Sequence, residues 1–166
     1  MSSVLKESEL ENFFKKVVTF FESASIEALA QGQQERSLTK NQIGPALKVF
    51  VTSLRIPQIV VRHDGDTAVR PLLRHGLTFL PDAQASLGSQ KVLAVEVKIL
   101  RDSDPSGSLS KAIGQTLMYR AMGFEMAIGL IFDNRSKNYQ GLEIPLALLD
   151  QDENRVKFIL FNVNRD

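Results

Sequence analysis

The sequence predicts a single α/β domain of residues 1–166 in which helices flank a mixed central sheet, with an extra amino-terminal helix and extra carboxy-terminal strands. A chain of 166 residues can bury one substantial core. Apolar residues recur at helical spacing near the amino terminus, whereas short β-branched runs follow Pro57. An apolar run, a helical segment and a second apolar run come later, an order typical of parallel strands joined by a crossover helix.

The first helix is predicted over about residues 4–31, ending near Gly32. Ser8 and Glu11 fit a capping box at its start. Its apolar positions have the spacing of one helical face. They are Leu10, Phe13, Phe14, Val17, Val18 and Phe21. This Phe-rich face leads us to expect a homodimer or a larger homo-oligomer.

A second helix is predicted up to Leu54. Thr39 with Gln42 indicates one start, and Pro45 in the first turn indicates a later one. After this helix, three short runs separated by turn residues indicate a hairpin or meander. They are Ile59–Val61, Val69–Leu73 and Leu77–Leu80.

The strongest predicted strand is Val92–Leu100, which reads as a central strand buried on both faces. A polar loop follows, and Ser108 is expected to cap a helix that runs to about Gly123. Met126–Phe132 is the next strand. In the tail, two further edge strands are expected on either side of a turn at residues 150–154, namely Leu142–Leu149 and Val156–Val163.

Composition excludes several classes of site. The formal net charge of +1 shows no excess of basic residues, so contact with DNA would need a local patch. Because cysteine is absent, disulfides, thiolate catalysis and sulfur-ligated zinc are excluded, and any metal would be bound by oxygen. No nucleotide-binding glycine loop is present. The absence of a signal-peptide pattern and of a long apolar stretch predicts a cytoplasmic protein that does not enter a membrane.

Three charged residues near the central strand carry the chemistry. Glu96 and Lys98 lie two residues apart, so a strand projects both side chains from one face. Burying either charge without a partner would cost roughly several kcal/mol of folding free energy. Asp82 precedes Glu96 by fourteen residues (96 minus 82), enough for a turn and a return to the neighbouring strand. Asp82 and Glu96 would give Mg²⁺, or Mn²⁺ in its place, hard oxygen ligands. Lys98 would orient a water molecule or neutralise charge developing on a phosphate.

Pro81-Asp82 together with Glu96-Val97-Lys98 resembles the signature of the PD-(D/E)XK nuclease superfamily, the restriction-endonuclease-like fold. Gln115 and Tyr119 resemble the Gln-x-x-x-Tyr element of its RecB-type and phage-exonuclease-like members. The resemblance covers about residues 45–132 and implies a core of helix, three strands, helix and strand, with the strands at Ile59, Leu77, Val92 and Met126.

The resemblance implies a Mg²⁺-dependent deoxyribonuclease. Asp82 and Glu96 would bind the metal, Gln115 would contact the nucleophile or a phosphate, and Tyr119 would support the site. Many members add a glutamate from the first helix. The candidates are Glu27 and Glu35, although both precede the helix that aligns.

Basic residues around the proposed core could contact backbone phosphates, and they could equally be ordinary solubilising charges. The candidates for DNA contact are Arg101, Lys111 and Arg120. His63 and His75 lie in polar turn segments, so we expect exposed loop residues rather than metal ligands.

Two other functions remain open at this point. A nuclease-like protein could bind DNA or a protein partner without cleaving it, because a fold does not fix a function. Alternatively, Glu96 and Lys98 could form a structural ion pair in an unrelated α/β domain, in which case Asp82 would lie far from Glu96.

Overall fold

The computed structural model describes residues 4–24, 34–56, 58–64, 66, 72–74, 77–136 and 142–163. Five strands form one mixed sheet, namely β1 (Ile59–His63), β4 (Ala83–Leu87), β5 (Gln90–Leu100), β6 (Met126–Asp133) and β7 (Val156–Asn162). Their order across the sheet is β1-β4-β5-β6-β7. The first three are antiparallel, whereas β5, β6 and β7 are parallel. A separate antiparallel pair consists of β2 (Leu72–Arg74) and β3 (Leu77–Phe79).

Helices cover both faces of the sheet, which confirms the predicted α/β class. They are α1 (Glu7–Glu22), α2 (Glu35–Leu38), α3 (Gly44–Ser53), α4 (Pro105–Ala121) and α5 (Glu143–Ala147). Val95, Val97 and Ile99 of β5 belong to the hydrophobic cluster that contains α1 and α3. On the other face, Ala94 belongs to a cluster with Tyr119 of α4. Within the described residues, no helix combines the length and apolarity needed to cross a membrane.

The N-cap of α1 is Lys6, two residues before the predicted N-cap, Ser8. The N–H of Lys6 donates to Glu9 Oε2 over 2.7 Å, so Ser8 and Glu11 do not form the cap. The helix ends at Glu22, and its predicted end near Gly32 lies outside the described residues. Its buried residues pack into the core of this chain, which removes the exposed Phe-rich face on which we based the expected homo-oligomer. They are Leu10, Phe13, Phe14, Val17 and Phe21.

The second helix begins at Glu35, earlier than either predicted start. A π-helical turn, Thr39–Ile43, joins α2 to α3 without a break. Proline lacks an N–H and clashes with the carbonyl four residues earlier in an ordinary α-helix. The π-helical turn ends at Ile43. The N–H of Gly44, the residue before Pro45, donates to Thr39 O, five residues back. The alternative start at Pro45 agrees with α3, which has this proline in its first turn. Neither predicted start anticipated α2 or the π-helical turn that joins it to α3.

Strand β4 was not predicted, and it replaces the Leu77 strand as the middle strand of the antiparallel half. Its residues, Ala83-Gln84-Ala85-Ser86-Leu87, are mostly small or polar and have low strand propensity. Pairing on both sides, with β1 and β5, determines their conformation. The Leu77 strand instead pairs with β2 in the predicted hairpin.

The crossover from β5 through α4 to parallel β6 is confirmed. Helix α4 starts at Pro105 rather than at Ser108, because the Asp104 side chain accepts a hydrogen bond from the N–H of Gly107 and caps the helix. Strand β7 is also confirmed as an edge strand. The other tail element was wrongly predicted as a strand, since Glu143–Ala147 forms a short helix.

Candidate active site

The site lies where β5 extends beyond β4. The last register pair between these strands is Ala83 with Val95, and one further step of the register places Asp82 opposite Glu96. Opposite residues of an antiparallel pair project from the same face with their Cβ atoms close together. From Glu96 to Leu100, β5 continues in register with β6 on its other side. We call the β4-facing side of residues 96–100 the open edge of β5.

Two carboxylates satisfy backbone donors along the open edge of β5. The N–H of Val97 donates to Asp82 Oδ2 over 2.7 Å. The N–H of Ile99 donates to Glu35 Oε1 over 3.1 Å. Buried backbone N–H groups require partners, and here side chains replace the strand that would otherwise supply them. These two hydrogen bonds therefore fix Asp82 and Glu35 against the central strand.

Lys98 is the ammonium group among these carboxylates. Its Nζ lies 3.0 Å from Glu35 Oε2 and 3.7 Å from Glu96 Oε1. Glu96 is only 3% exposed, and 14% of the Lys98 side chain is exposed. We call Glu35, Asp82, Glu96 and Lys98 the charged cluster. Glu96 and Lys98 do not form the isolated structural ion pair that we considered from the sequence, because Asp82 is adjacent to Glu96 and Lys98 is closer to Glu35 than to Glu96.

Burial dominates the electrostatics of the two central carboxyl groups. It raises the pKa of Asp82 to about 6, against the opposing effects of the Val97 hydrogen bond and the Lys98 charge. Burial, reinforced by the negative charge of Asp82, raises the pKa of Glu96 to about 8. The charge of Lys98 therefore does not offset the cost of burying these two carboxylates in their ionised forms.

The protonation of Lys98 is favoured by its neighbours. Burial lowers the pKa of its ammonium, but the hydrogen bond and charge of Glu35, with the charges of Glu96 and Asp82, outweigh that effect and raise the pKa overall. Lys98 is thus a fixed positive charge, suited to charge stabilisation rather than to proton abstraction.

Tyr119 connects α4 to the charged cluster. Its fully buried hydroxyl donates to Glu96 Oε2 over 2.8 Å and lies 3.2 Å from the carbonyl oxygen of Leu80. The Gln115 side chain hydrogen-bonds to the same hydroxyl, one helical turn away. Burial and the Glu96 charge raise the pKa of Tyr119 above its usual value. Tyr119 therefore holds Glu96 close to the segment that leads into Asp82.

Two residues beside this cluster, Asp64 and Arg36, were not predicted from the sequence as part of the site. The N–H of Asp64, just after β1, donates to the backbone oxygen of Asp82 over 2.7 Å. Arg36, which follows Glu35 on α2, places its Nε 3.3 Å from Asp64 Oδ1. Asp64 lay in a segment that resembles an ordinary turn, and Arg36 preceded both predicted helix starts. No local signal distinguishes either residue.

The three candidates for DNA contact lie in different surroundings. Lys111 is exposed on α4, and Arg101 is partly exposed immediately after β5. The Arg120 guanidinium donates to the carbonyl oxygen of Phe124. The charges that influence Arg120 belong to a different group of residues from the charged cluster, namely Glu125, Arg155 and Glu7.

Of the two histidines, His63 is not the exposed loop residue that we predicted. It is 8% exposed because β1 continues two residues beyond Val61, and its ring packs against Gly44. His75 lies outside the described residues, as does Glu27, the other candidate for a glutamate from the helices. Glu35 is the candidate that reaches the charged cluster.

The donor set of the cluster fits a hard divalent cation. The described residues contain no group of three or more His, Cys, Asp or Glu side chains arranged to hold a metal ion. Mg²⁺ does not require such a group, because it retains several waters and commonly uses one or two carboxylates together with substrate phosphate. Asp82 and Glu96 provide such a pair. Burial, and then the neighbouring carboxylates, raise their pKa values, and a bound cation would favour the ionised forms.

No protein-family model, no curated protein and no solved structure matches this chain.

Proposed function

We propose that this chain is a metal-dependent deoxyribonuclease of the PD-(D/E)XK type, using Mg²⁺ or Mn²⁺. The observation that carries the proposal is the pairing of Asp82 with Glu96 at the open edge of β5, with Lys98 on the same face as Glu96. The order of α3, β1, β4, β5, α4 and β6 along the chain supports a restriction-endonuclease-like core.

A bound Mg²⁺ would polarise a phosphoryl oxygen and lower the pKa of a coordinated water. Asp82 and Glu96 would hold it. The hydrogen bond from Val97 engages Asp82 Oδ2 and leaves Oδ1 as the oxygen for a ligand. Tyr119 fixes Glu96 Oε2, which leaves Oε1 facing Lys98.

Lys98 would stabilise the charge that develops on the scissile phosphate. Glu35 anchors its ammonium on one side, so the group is held in position before the substrate arrives. Gln115 acts through Tyr119 in this arrangement, and it is a positioning residue rather than a direct contact to the reacting atoms.

Cleavage assays with paired variants test the proposal. The purified protein should cut at least one of duplex, single-stranded or branched DNA with Mg²⁺ or Mn²⁺, and chelation should stop the reaction. Asp82→Asn and Lys98→Ala should each reduce the rate by at least about 100-fold, the scale of losing one transition-state contact. Far-UV circular dichroism should show that both variants are folded.

Asp152→Asn is the matched control, since it neutralises an exposed carboxylate on the turn before β7 and should leave cleavage unchanged. Inactivity of the wild-type protein on every DNA form, or full activity of both cluster variants, would refute the proposal. Tight DNA binding without cleavage would support the alternative of a binding protein.

A further inference from the structure

Arg36 is an exposed guanidinium held beside the charged cluster. Its side chain is 74% exposed, and Nε is the nitrogen that approaches Asp64, at 3.3 Å. An exposed ion pair of this kind contributes little to stability, because water competes for both partners. Asp64 therefore orients the guanidinium while most of its five donors face solvent.

Two short connections tie Arg36 to the proposed catalytic residues. The preceding residue, Glu35, bonds to Lys98 and to the backbone of Ile99. The partner of Arg36, Asp64, donates its N–H to the backbone oxygen of Asp82. Both ends of the Arg36 contact are thus fixed relative to the open edge of β5.

The charges around this position explain why a cation is useful there. Three carboxylates lie in the vicinity, and their negative charges repel a polyanion approaching the site; they are Glu35, Asp64 and Asp82. Lys98 is already engaged by Glu35 and Glu96. Arg36 is an exposed cation beside the cluster, so it can bind a phosphate while Lys98 keeps its own partners. Its guanidinium can donate to two phosphate oxygens at once.

We propose that Arg36, oriented by Asp64, binds a phosphate of the nucleic-acid backbone that neighbours the scissile one. The site would consequently favour polynucleotides over isolated phosphodiesters. This inference rests on the proposed function, which identifies the scissile group as a DNA phosphodiester. The contact of Arg36 with a phosphate is tested separately, by measuring DNA binding without cleavage.

The first test compares a DNA oligonucleotide with bis(p-nitrophenyl) phosphate, a single phosphodiester without a neighbouring phosphate. Arg36→Gln should reduce kcat/KM for DNA by about tenfold, mainly through KM, as expected for one charge-assisted contact. Hydrolysis of the small diester should stay at the wild-type rate. Arg36→Lys should recover part of the loss, since it restores the charge but not the fork.

Arg55→Gln is the matched control, because Arg55 is an exposed arginine beyond the far end of α3. It should leave both rates unchanged. Equal losses on the two substrates would show a structural role for Arg36, and no loss on either would overturn the inference.

The second test measures DNA affinity by fluorescence anisotropy at several salt concentrations without divalent metal. Arg36→Gln should weaken binding and lower the slope of log K against log salt by about one, the value for one lost phosphate contact. If Arg36-dependent binding occurs without cleavage, the proposed function fails, whereas the contact of Arg36 with a backbone phosphate stands. If cleavage occurs but Arg36→Gln changes neither assay, the inference fails and the function stands. Absence of any DNA binding and cleavage would overturn both.

Discussion

Glu96 carries the largest electrostatic cost among the residues of the site. It is 3% exposed and opposite a second carboxyl group, Asp82, with which it competes for the one ammonium of Lys98. Because burial raises its pKa to about 8, Glu96 holds a proton at neutral pH when no cation is bound. A metal must displace that proton, so metal affinity should increase with pH.

Stability should fall as the pH rises in the absence of metal. The pKa of Glu96 is about 8 in the folded state against an ordinary value of 4.5, so the native state binds more protons than the unfolded state between these values. Asp82 adds to the effect between 3.8 and about 6. Thermal unfolding should show a Tm that decreases from about pH 5 to about pH 9, with a loss on the order of a few kcal/mol.

Glu96→Gln should remove most of this decrease, and Mg²⁺ should reverse it in the wild-type protein but not in the variant. The exposed Glu153→Gln is the matched control and should keep the wild-type profile. A wild-type Tm that is constant or rises over this range would show that Glu96 is not an uncompensated buried carboxyl group.

At the scale of elements, the sequence predicted the parts whose signal is local. Strands β5 and β6 are long apolar runs, and α4 carries Gln115 and Tyr119 on one face, so the crossover and the placement of Glu96 and Lys98 followed directly. Strand β4 has weak propensity and depends on its two neighbours. Because it was not predicted, the position of Asp82 immediately before β4 was not predicted either.

Glu35 shows a second limit of local signals. The capping residues and Pro45 indicated later helix starts, whereas the π-helical turn lets one helical segment run from Glu35 to Ser53. Only the tertiary contacts with Lys98 and Ile99 show that the first turn of this segment reaches the site.

Gly44→Ala should destabilise the helix that presents Glu35. A Cβ at this position would lie 2.2 Å from Cγ of the His63 ring, so the helix must move relative to β1. We expect a loss of about 1–3 kcal/mol in the free energy of unfolding, as for other overpacked sites. Urea denaturation measures the loss, and DNA cleavage should decline with it because Glu35 shifts from Lys98.

Gly114→Ala is the matched control on α4, where an added Cβ meets no atom within 4 Å. Alanine is the better helix former, so this variant should gain about 0.5–1 kcal/mol. Equal stability of the two variants would mean that Gly44 does not set the spacing between α3 and β1.

On the scale of the whole molecule, the sheet has a packing face and a face that carries the charged cluster. One face packs against α1 and α3 in the largest hydrophobic cluster. The charged cluster lies where β5 extends beyond β4, and Tyr119 of α4 contacts it there. The formal charge of +1 provides no general attraction for DNA. Under the proposed function, substrate capture would therefore depend on local cations and on the metal itself.

The most direct measurement is anomalous diffraction at the manganese edge from crystals grown with Mn²⁺. The proposed function predicts a peak within coordination distance of both the Asp82 and Glu96 carboxylates, and its loss in Asp82→Asn. A structure with Mn²⁺ bound elsewhere, or with no peak at these carboxylates at pH values above about 8 where both are ionised, would contradict a metal-dependent nuclease.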